Sequence, residues 1–346
     1  MLRRILVATG VLPIIAAIAA FTTRIPPDFD PASESYAMLQ RGAVEVVTDT
    51  LQLVDESRYL PDPLVEGQTL PRSFEVTLWR PADGALSPSP QQPMPLVLYS
   101  HGIMSTADEG KHIGEHLASH GYTVAAPNFP LTNFSNGKDV VPADVVNQPA
   151  DISFLLNELL ARAGDAEDVL YQRIDASRIA AVGMSMGGMT THMLGYDPVR
   201  HEARLAALVA VAAPSAMFTR KYFSTRQVPY LMIASPQDAF IDYEQNALPI
   251  LEKIDDAKLL TIDGGSHAGY SDQARWLRWF SNPDSIGCYQ VASTIEDETD
   301  GDGWYAELGS VEEGYIEPVD MQVCQADLEK AMNPIGQTQF ELAAVW

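Results

Sequence analysis

Residues Gly183-Met184-Ser185-Met186-Gly187 place one hydroxyl between two methionines and bracket it with glycines. A serine hydroxyl is a weak nucleophile at neutral pH. A site built on it needs a general base beside it and a third group that orients the base. The spacing fits a nucleophile elbow, in which the serine stands on a sharp strand-to-helix turn and the residues two away on either side must lack bulk. Glycine is common enough that the bare pattern proves little, so its flanks decide. Arg178 to Val182 is short and apolar behind an Asp175 to Ser177 turn and reads as a strand. Met186 to Leu194 reads as a helix that stops at Gly195. Both flanks are of the required type, and Ser185 is the candidate nucleophile.

The base should be a histidine, whose ordinary pKa of about 6.5 lets it take and return a proton. The chain has seven. His101 precedes a glycine at a strand end, His112, His116 and His120 lie along one helix or its end, His192 is inside the elbow helix, and His201 is in a polar connection. His267 sits in a glycine-rich loop, "DGGSHAGY", directly after a late apolar strand, and is the candidate base. Asp238, at the exit of "YLMIASPQD", is the candidate orienting carboxylate. Its rivals are Asp242, one helical turn late, and Asp263, too close in sequence to His267 to be presented easily from another strand. The chain order Ser185, Asp238, His267 is that of one known sheet architecture. A tetrahedral intermediate also needs backbone N–H donors for its oxyanion. The residue after the nucleophile, Met186, supplies one. The loop after "LVLYS" supplies the other, with Ile103 the first candidate and Met104 the second.

Side chains this far apart in the chain need a scaffold. Thr50 to Asp55 and Phe74 to Arg80 read as early strands by alternation, and Pro81 to Pro95 as a loop. Leu96 to Ser100, Thr123 to Pro130, Leu205 to Pro214, Pro229 to Pro236 and Lys258 to Ile262 read as further strands. Helices fit Asp108 to Ser119, Ala143 to Arg162, Tyr243 to Ile254 and Ser271 to Phe280. Near-continuous apolar strands separated by helices imply an α/β fold with a mostly parallel sheet covered on both faces. In such sheets the site lies beyond the carboxyl ends of the strands. Residues 36–280 form the expected catalytic domain. Residues 281–346 are acidic and poor in periodicity, and read as an extension packed on it.

The net charge of −24 repels phosphate backbones and anionic headgroups, which argues against nucleic acid as a partner. At the N-terminus, Arg3 and Arg4 precede an apolar run from Ile5 to Phe21 with a small-x-small pattern at Ala17-Ile18-Ala19. Residues 1–25 therefore read as an export signal, the alternative being an uncleaved anchor and the one route to membrane contact. A Pro/Ser/Asp linker follows at Pro26 to Ser35. Export places Cys288 and Cys324 in an oxidising compartment, where they are a candidate disulfide. The sequence does not fix an oligomeric state.

Two motifs point elsewhere. His112-Ile113-Gly114-Glu115-His116 matches an inverted zinc-protease signature, but Gly114 weakens the helix and a solvated helix face is favoured. Glu296 to Glu307 echoes a calcium loop, with Glu at its first position and no flanking helices, and reads as an acidic surface loop. No metal is assigned.

The segments "PLVLYSHG" (Pro95 to Gly102), "LASHGYTVAAPN" (Leu117 to Asn128), "QPADISFLLNEL" (Gln148 to Leu159), "IDASRIAAVGMSMGG" (Ile174 to Gly188) and "IDGGSH" (Ile262 to His267) together resemble the α/β-hydrolase superfamily. Within it they resemble the branch of predicted dienelactone hydrolases, platelet-activating-factor acetylhydrolase-like esterases and bacterial polyester hydrolases. The resemblance covers about Leu51 to Phe280 and leaves the extension out. It implies a hydrolase of carboxylic esters with Ser185 as nucleophile, His267 as base, Asp238 as acid, and Ile103 and Met186 as oxyanion donors. No cofactor is implied, and the implied partner is a small-molecule ester. Two departures stand out. Dienelactone hydrolases use a cysteine nucleophile where this chain has serine. The places where polyester hydrolases usually carry an aromatic residue and a tryptophan match Ile103 and Ser215-Ala216 here, so no aromatic clamp is evident. A polyester hydrolase, a serine peptidase of the same fold, and a catalytically silent binding protein are the alternatives.

Overall fold

The computed structural model describes residues 30–62, 64–83, 93–277, 283–285, 287–288, 291, 306–316, 337 and 341–342. An antiparallel hairpin opens the fold: β1 (Val46–Pro61) pairs with β2 (Thr69–Pro81), with a register shift between Asp55 and Tyr59. Both strands outrun their expected bounds. The residues added to β1, Val46–Asp49 and Glu56–Pro61, mix apolar and polar types and none of them is buried, so the added length has no hydrophobic signature of its own. β3 (Met94–Ser100), β4 (Thr123–Pro127), β5 (Ile174–Met184), β6 (Leu205–Val211), β7 (Tyr230–Ala234) and β8 (Lys258–Thr261) complete an eight-stranded sheet in the order β1-β2-β4-β3-β5-β6-β7-β8. β2 runs antiparallel to β4, and every pair from β4 to β8 is parallel.

α1 (Glu34–Leu39) stands at the end of the expected linker, where Ser33 caps it by accepting the Tyr36 N–H at 3.1 Å. α2 (Lys111–Ser119), α3 (Gln148–Gly164) and α4 (Met186–Tyr196) are the main covering helices, and α5 (Arg220–Phe223) is a single turn. The helix expected over Tyr243 to Ile254 is two pieces, α6 (Tyr243–Asn246) and α7 (Ile250–Lys253). Pro249 lies between them as the N-cap of α7; it has no N–H to continue a helix from α6. The last expected helix begins three residues late, as α8 (Ala274–Leu277), with Ser271 to Gln273 in a turn before it.

Each sheet face has its own core. Leu155, Leu156 and Leu159 of α3 and Met189 and Met193 of α4 pack with Leu96, Leu98 and Ala181. On the opposite face Ile113 and Leu117 of α2 pack with Trp79, Val97, Tyr99 and Val182. This corrects the solvated-face reading of the His112–His116 stretch: both histidines are on the inward side. His112 Nε2 lies 3.1 Å from Glu341 Oε2, His116 is buried, and Glu115 is paired loosely with Lys111 at 3.9 Å. Among the described residues no group of three or more metal-type ligands is present.

β3 is flanked by β4 on one side and β5 on the other, so the chain reverses its direction of travel across the sheet there. Such a switch point opens a crevice at the carboxyl ends of the strands. The loops after β3, β5, β7 and β8 carry Ile103, Ser185, Asp238 and His267 respectively. No described helix is long and apolar enough to cross a membrane. The expected export segment, Cys324 and the acidic stretch from Glu296 to Tyr305 lie outside the described residues.

The hairpin is tied to the rest by a buried ion cluster. Arg72 of β2 holds Asp144 through Nη2 at 2.7 Å and Asp151 of α3 through Nε at 2.6 Å, and Arg58 reaches Asp151 at 2.8 Å. Removing the arginine leaves buried carboxylates without their main counter-charge. Arg72→Met is expected to lower the unfolding free energy by about 3–5 kcal/mol, measured by urea denaturation.

Candidate active site

Ser185 follows β5 and precedes α4 with φ 56° and ψ −122°, a left-handed conformation rare for a residue with a side chain. Its N–H donates to Val211 O at 2.8 Å and its carbonyl accepts from Met189 N–H at 3.1 Å, which locks the turn between β6 and the helix. The flanking glycines are required by contact. A Cβ on Gly183 would stand 2.0 Å from Gly187 O, and one on Gly187 would stand 1.9 Å from Ser100 O. The hydroxyl is thereby carried at the N-terminus of α4, where the helix dipole favours developing negative charge.

His267 Nδ1 lies 2.8 Å from Asp238 Oδ2. A carboxylate can only accept, so Nδ1 carries the proton and Nε2 keeps its lone pair. Asp238 is itself fixed by its own turn, Oδ1 accepting the N–H groups of Phe240 (2.8 Å) and Ile241 (3.0 Å). The rival carboxylates have other situations: Asp242 caps α6 by accepting Gln245 N–H at 2.7 Å, and Asp263 is exposed. Burial pushes the imidazole pKa down, but the charges of Asp238, Asp284 and Glu109 and the hydrogen bond from Nδ1 to Asp238 outweigh it, leaving His267 above its ordinary value. The ring of Phe240 stacks on the imidazole at 4.4 Å.

Of the two oxyanion candidates after β3, Met104 donates its N–H to Thr132 O at 2.8 Å, which leaves Ile103. The loop is shaped by two residues that sequence reasoning missed. His101 is fully buried, with Nδ1 2.7 Å from Gly102 O and Nε2 accepting Phe129 N–H at 3.1 Å; burial lowers its pKa to about 4, so it stays neutral. Glu109 accepts Gly102 N–H at 2.9 Å and the Tyr99 hydroxyl at 3.0 Å, and burial raises its pKa. A histidine before a glycine and an acid in a helical first turn carry no pattern that would mark these roles.

Ser185, Met186, Ile103, Glu109 and His267 line one cavity of about 230 Å³, with Met189, Pro214, Ala216, Phe240 and Ile241 supplying apolar wall. The structure thus brings Ser185, His267 and both oxyanion candidates to one space and sets Asp238 behind the histidine. Cys288 is described and is not a free thiol.

The fold is that of the α/β-hydrolases, and within them the chain belongs to the PET hydrolase-like (PETase) family, whose profile matches residues 90–291. A cutinase of Thermobifida alba is 28% identical over 175 residues, covering 49% of this chain and 52% of that protein. A cutinase of Thermobifida cellulosilytica is 27% identical over 175 residues, covering 49% of this chain and 59% of its own length. The chain spans about half the length of the curated relatives it matches. Among solved structures, a ferulic acid esterase from Streptomyces cinnamoneus aligns with a TM-score of 0.52 over 91% of this chain and 90% of that chain at 20% identity, a likeness of fold.

The His267–Asp238 pairing is testable apart from any turnover. NMR titration of the His267 ring is expected to give a pKa above the ordinary value of about 6.5. Asp238→Asn is expected to lower it, because burial then meets less opposing charge; an unchanged midpoint would contradict the pairing.

Proposed function

We propose that this protein is a serine hydrolase of carboxylic esters that works through an acyl-enzyme intermediate. One observation carries the reading: Ser185 on its elbow turn, His267 paired with Asp238, and the oxyanion candidates Ile103 and Met186 border one cavity. Family membership supports the same class.

In this mechanism Ser185 Oγ attacks the ester carbonyl carbon while its proton passes to His267 Nε2. The N–H groups of Ile103 and Met186 hold the oxyanion. Asp238 keeps the imidazole in the tautomer that accepts the proton and stabilises the imidazolium that results. Collapse expels the alcohol, which takes the proton from Nε2. Water then attacks the acyl-enzyme, gives a proton to Nε2, and the second collapse releases the acid and restores the serine hydroxyl. The chemistry calls for no cofactor.

The substrate class follows from the walls. The cavity of about 230 Å³ falls near or below the roughly 300–1,000 Å³ of drug-sized sites. Phe240 is the one phenylalanine, tyrosine or tryptophan among its described lining residues, and it is packed on His267. Esters of short acyl chains fit this space. The polyester reading is the second, and the family and the cutinase relatives favour it.

Residues 36–280 are proposed as the catalytic domain, 1–25 as an export signal that delivers the enzyme outside the cytoplasm, with an anchor as the alternative, and 281–346 as an extension. A Cys288–Cys324 disulfide belongs to the same proposal. Its support is that Cys288 is not a free thiol and Cys324 is the chain's other cysteine.

A panel of p-nitrophenyl esters from acetate to palmitate, with a polyester film beside it, tests substrate class. The expected order is acetate and butyrate well above palmitate. A film hydrolysed while soluble short esters are refused would favour the polyester reading instead. Ser185→Ala is expected to abolish fluorophosphonate labelling and to cut kcat by several orders of magnitude, leaving a residual ~10³–10⁴ over water; near-normal turnover in that variant would refute the mechanism.

A further inference from the structure

The tip of the His267 loop lies between β8 and α8, outside any sheet ladder. Its buried backbone N–H groups still need acceptors. Three consecutive ones find them on side chains from beyond residue 280. Ser266 N–H donates to Gln337 Oε1 at 2.8 Å, His267 N–H to Asp284 Oδ2 at 2.9 Å, and Ala268 N–H to Asp284 Oδ1 at 2.8 Å. Gln337 closes its pair by donating from Nε2 to Ser266 O at 2.7 Å. Asp284 Oδ2 also accepts Ala239 N–H at 3.2 Å, one residue past Asp238. Both side chains belong to residues with 0% exposure.

One carboxylate therefore grips the loop of the base and the loop of its orienting acid together, and one amide grips the base loop beside it. We propose that Asp284 and Gln337 are positioning residues, through which the C-terminal segment holds the His267 imidazole in register with Ser185 and Asp238. The proposal rests on the triad reading above and gives the extension a task in that site. Its leverage is geometric: a displacement of about 1 Å at a reacting group can cost ~10²-fold in rate. Asp284 acts by charge as well. With Asp238 and Glu109 it is one of three carboxylates whose charges raise the imidazole pKa against the effect of burial.

The two residues can be separated by charge. Asp284→Asn and Gln337→Met are made in the full chain, with Ser185→Ala as control. Steady-state hydrolysis of p-nitrophenyl acetate is followed against pH, and kcat is expressed per folded molecule from near-UV circular dichroism. Both variants are expected to lose about 10–100-fold in kcat with KM within about twofold of wild type. Asp284→Asn removes a negative charge near His267, so the neutral imidazole persists to lower pH and the acid limb of kcat/KM moves down. Gln337→Met changes no charge, and its acid limb stays. A merely stabilising role would lower the unfolding temperature and leave kcat per folded molecule where it was in both variants, and that result would overturn the proposal. If instead Ser185→Ala keeps wild-type turnover, the triad reading fails and this proposal falls with it. A live wild type, a dead Ser185→Ala, and Asp284→Asn and Gln337→Met both equal to wild type would sink the positioning proposal alone.

Discussion

The backbone at Ser185 is the constraint on which the rest depends. A residue with a side chain is held at φ 56° because β5 must end, turn and start α4 within one residue. Such a conformation persists where the surroundings over-determine it. Here the surroundings are the Val211 carbonyl on the neighbouring strand, the Ser100 carbonyl of β3 pressed against Gly187, and the Gly187 carbonyl pressed against Gly183. Three strands must be in register before the hydroxyl can stand where it does. The parallel sheet is thus what makes the Ser185 turn possible, and the same strands aim the other loops at the same crevice.

Electrostatics around the base follows from that placement. His267 is buried, which by itself favours a neutral ring and a depressed pKa. Asp238, Asp284 and Glu109 act in the other direction and prevail. In the proposed mechanism an imidazole raised in this way holds a proton more firmly in the transition state, where the imidazolium must form. Their placement differs. Asp238 is bonded to the ring, Asp284 to the backbone under it, and Glu109 to the oxyanion loop across the cavity. The last two tie the His267 loop and the loop after β3 to residues whose type and spacing mark no such contact.

That difference explains what could be read from sequence. The turn at Ser185 is legible because an elbow needs glycines at fixed offsets between a strand and a helix. The pairing of His267 with Asp238 is legible because each follows an apolar strand and falls in the expected chain order. The parallel strands were legible for the same reason, as their double burial makes them continuously apolar. Asp284, Gln337, Glu109 and His101 were not, since a residue that acts by accepting a distant N–H leaves no periodicity. The burial of the α2 histidines is not legible, because Gly114 argues against a well-formed helix there and the buried partner of His112, Glu341, lies far along the chain. The break in the Tyr243 to Ile254 helix had its signal in Pro249, and the length of β1 had none because its ends are half wet.

The proposed chemistry requires a covalent bond between the substrate acyl group and Ser185. Rapid quench of the enzyme with p-nitrophenyl acetate at mildly acidic pH, where a protonated imidazole slows deacylation, followed by peptide mass spectrometry, measures it directly. The account expects an acetyl group on the peptide that contains Ser185, formed with the burst of p-nitrophenol and lost as turnover proceeds. Turnover with the acetyl group on another residue, or with a burst and no acylated peptide, would contradict it.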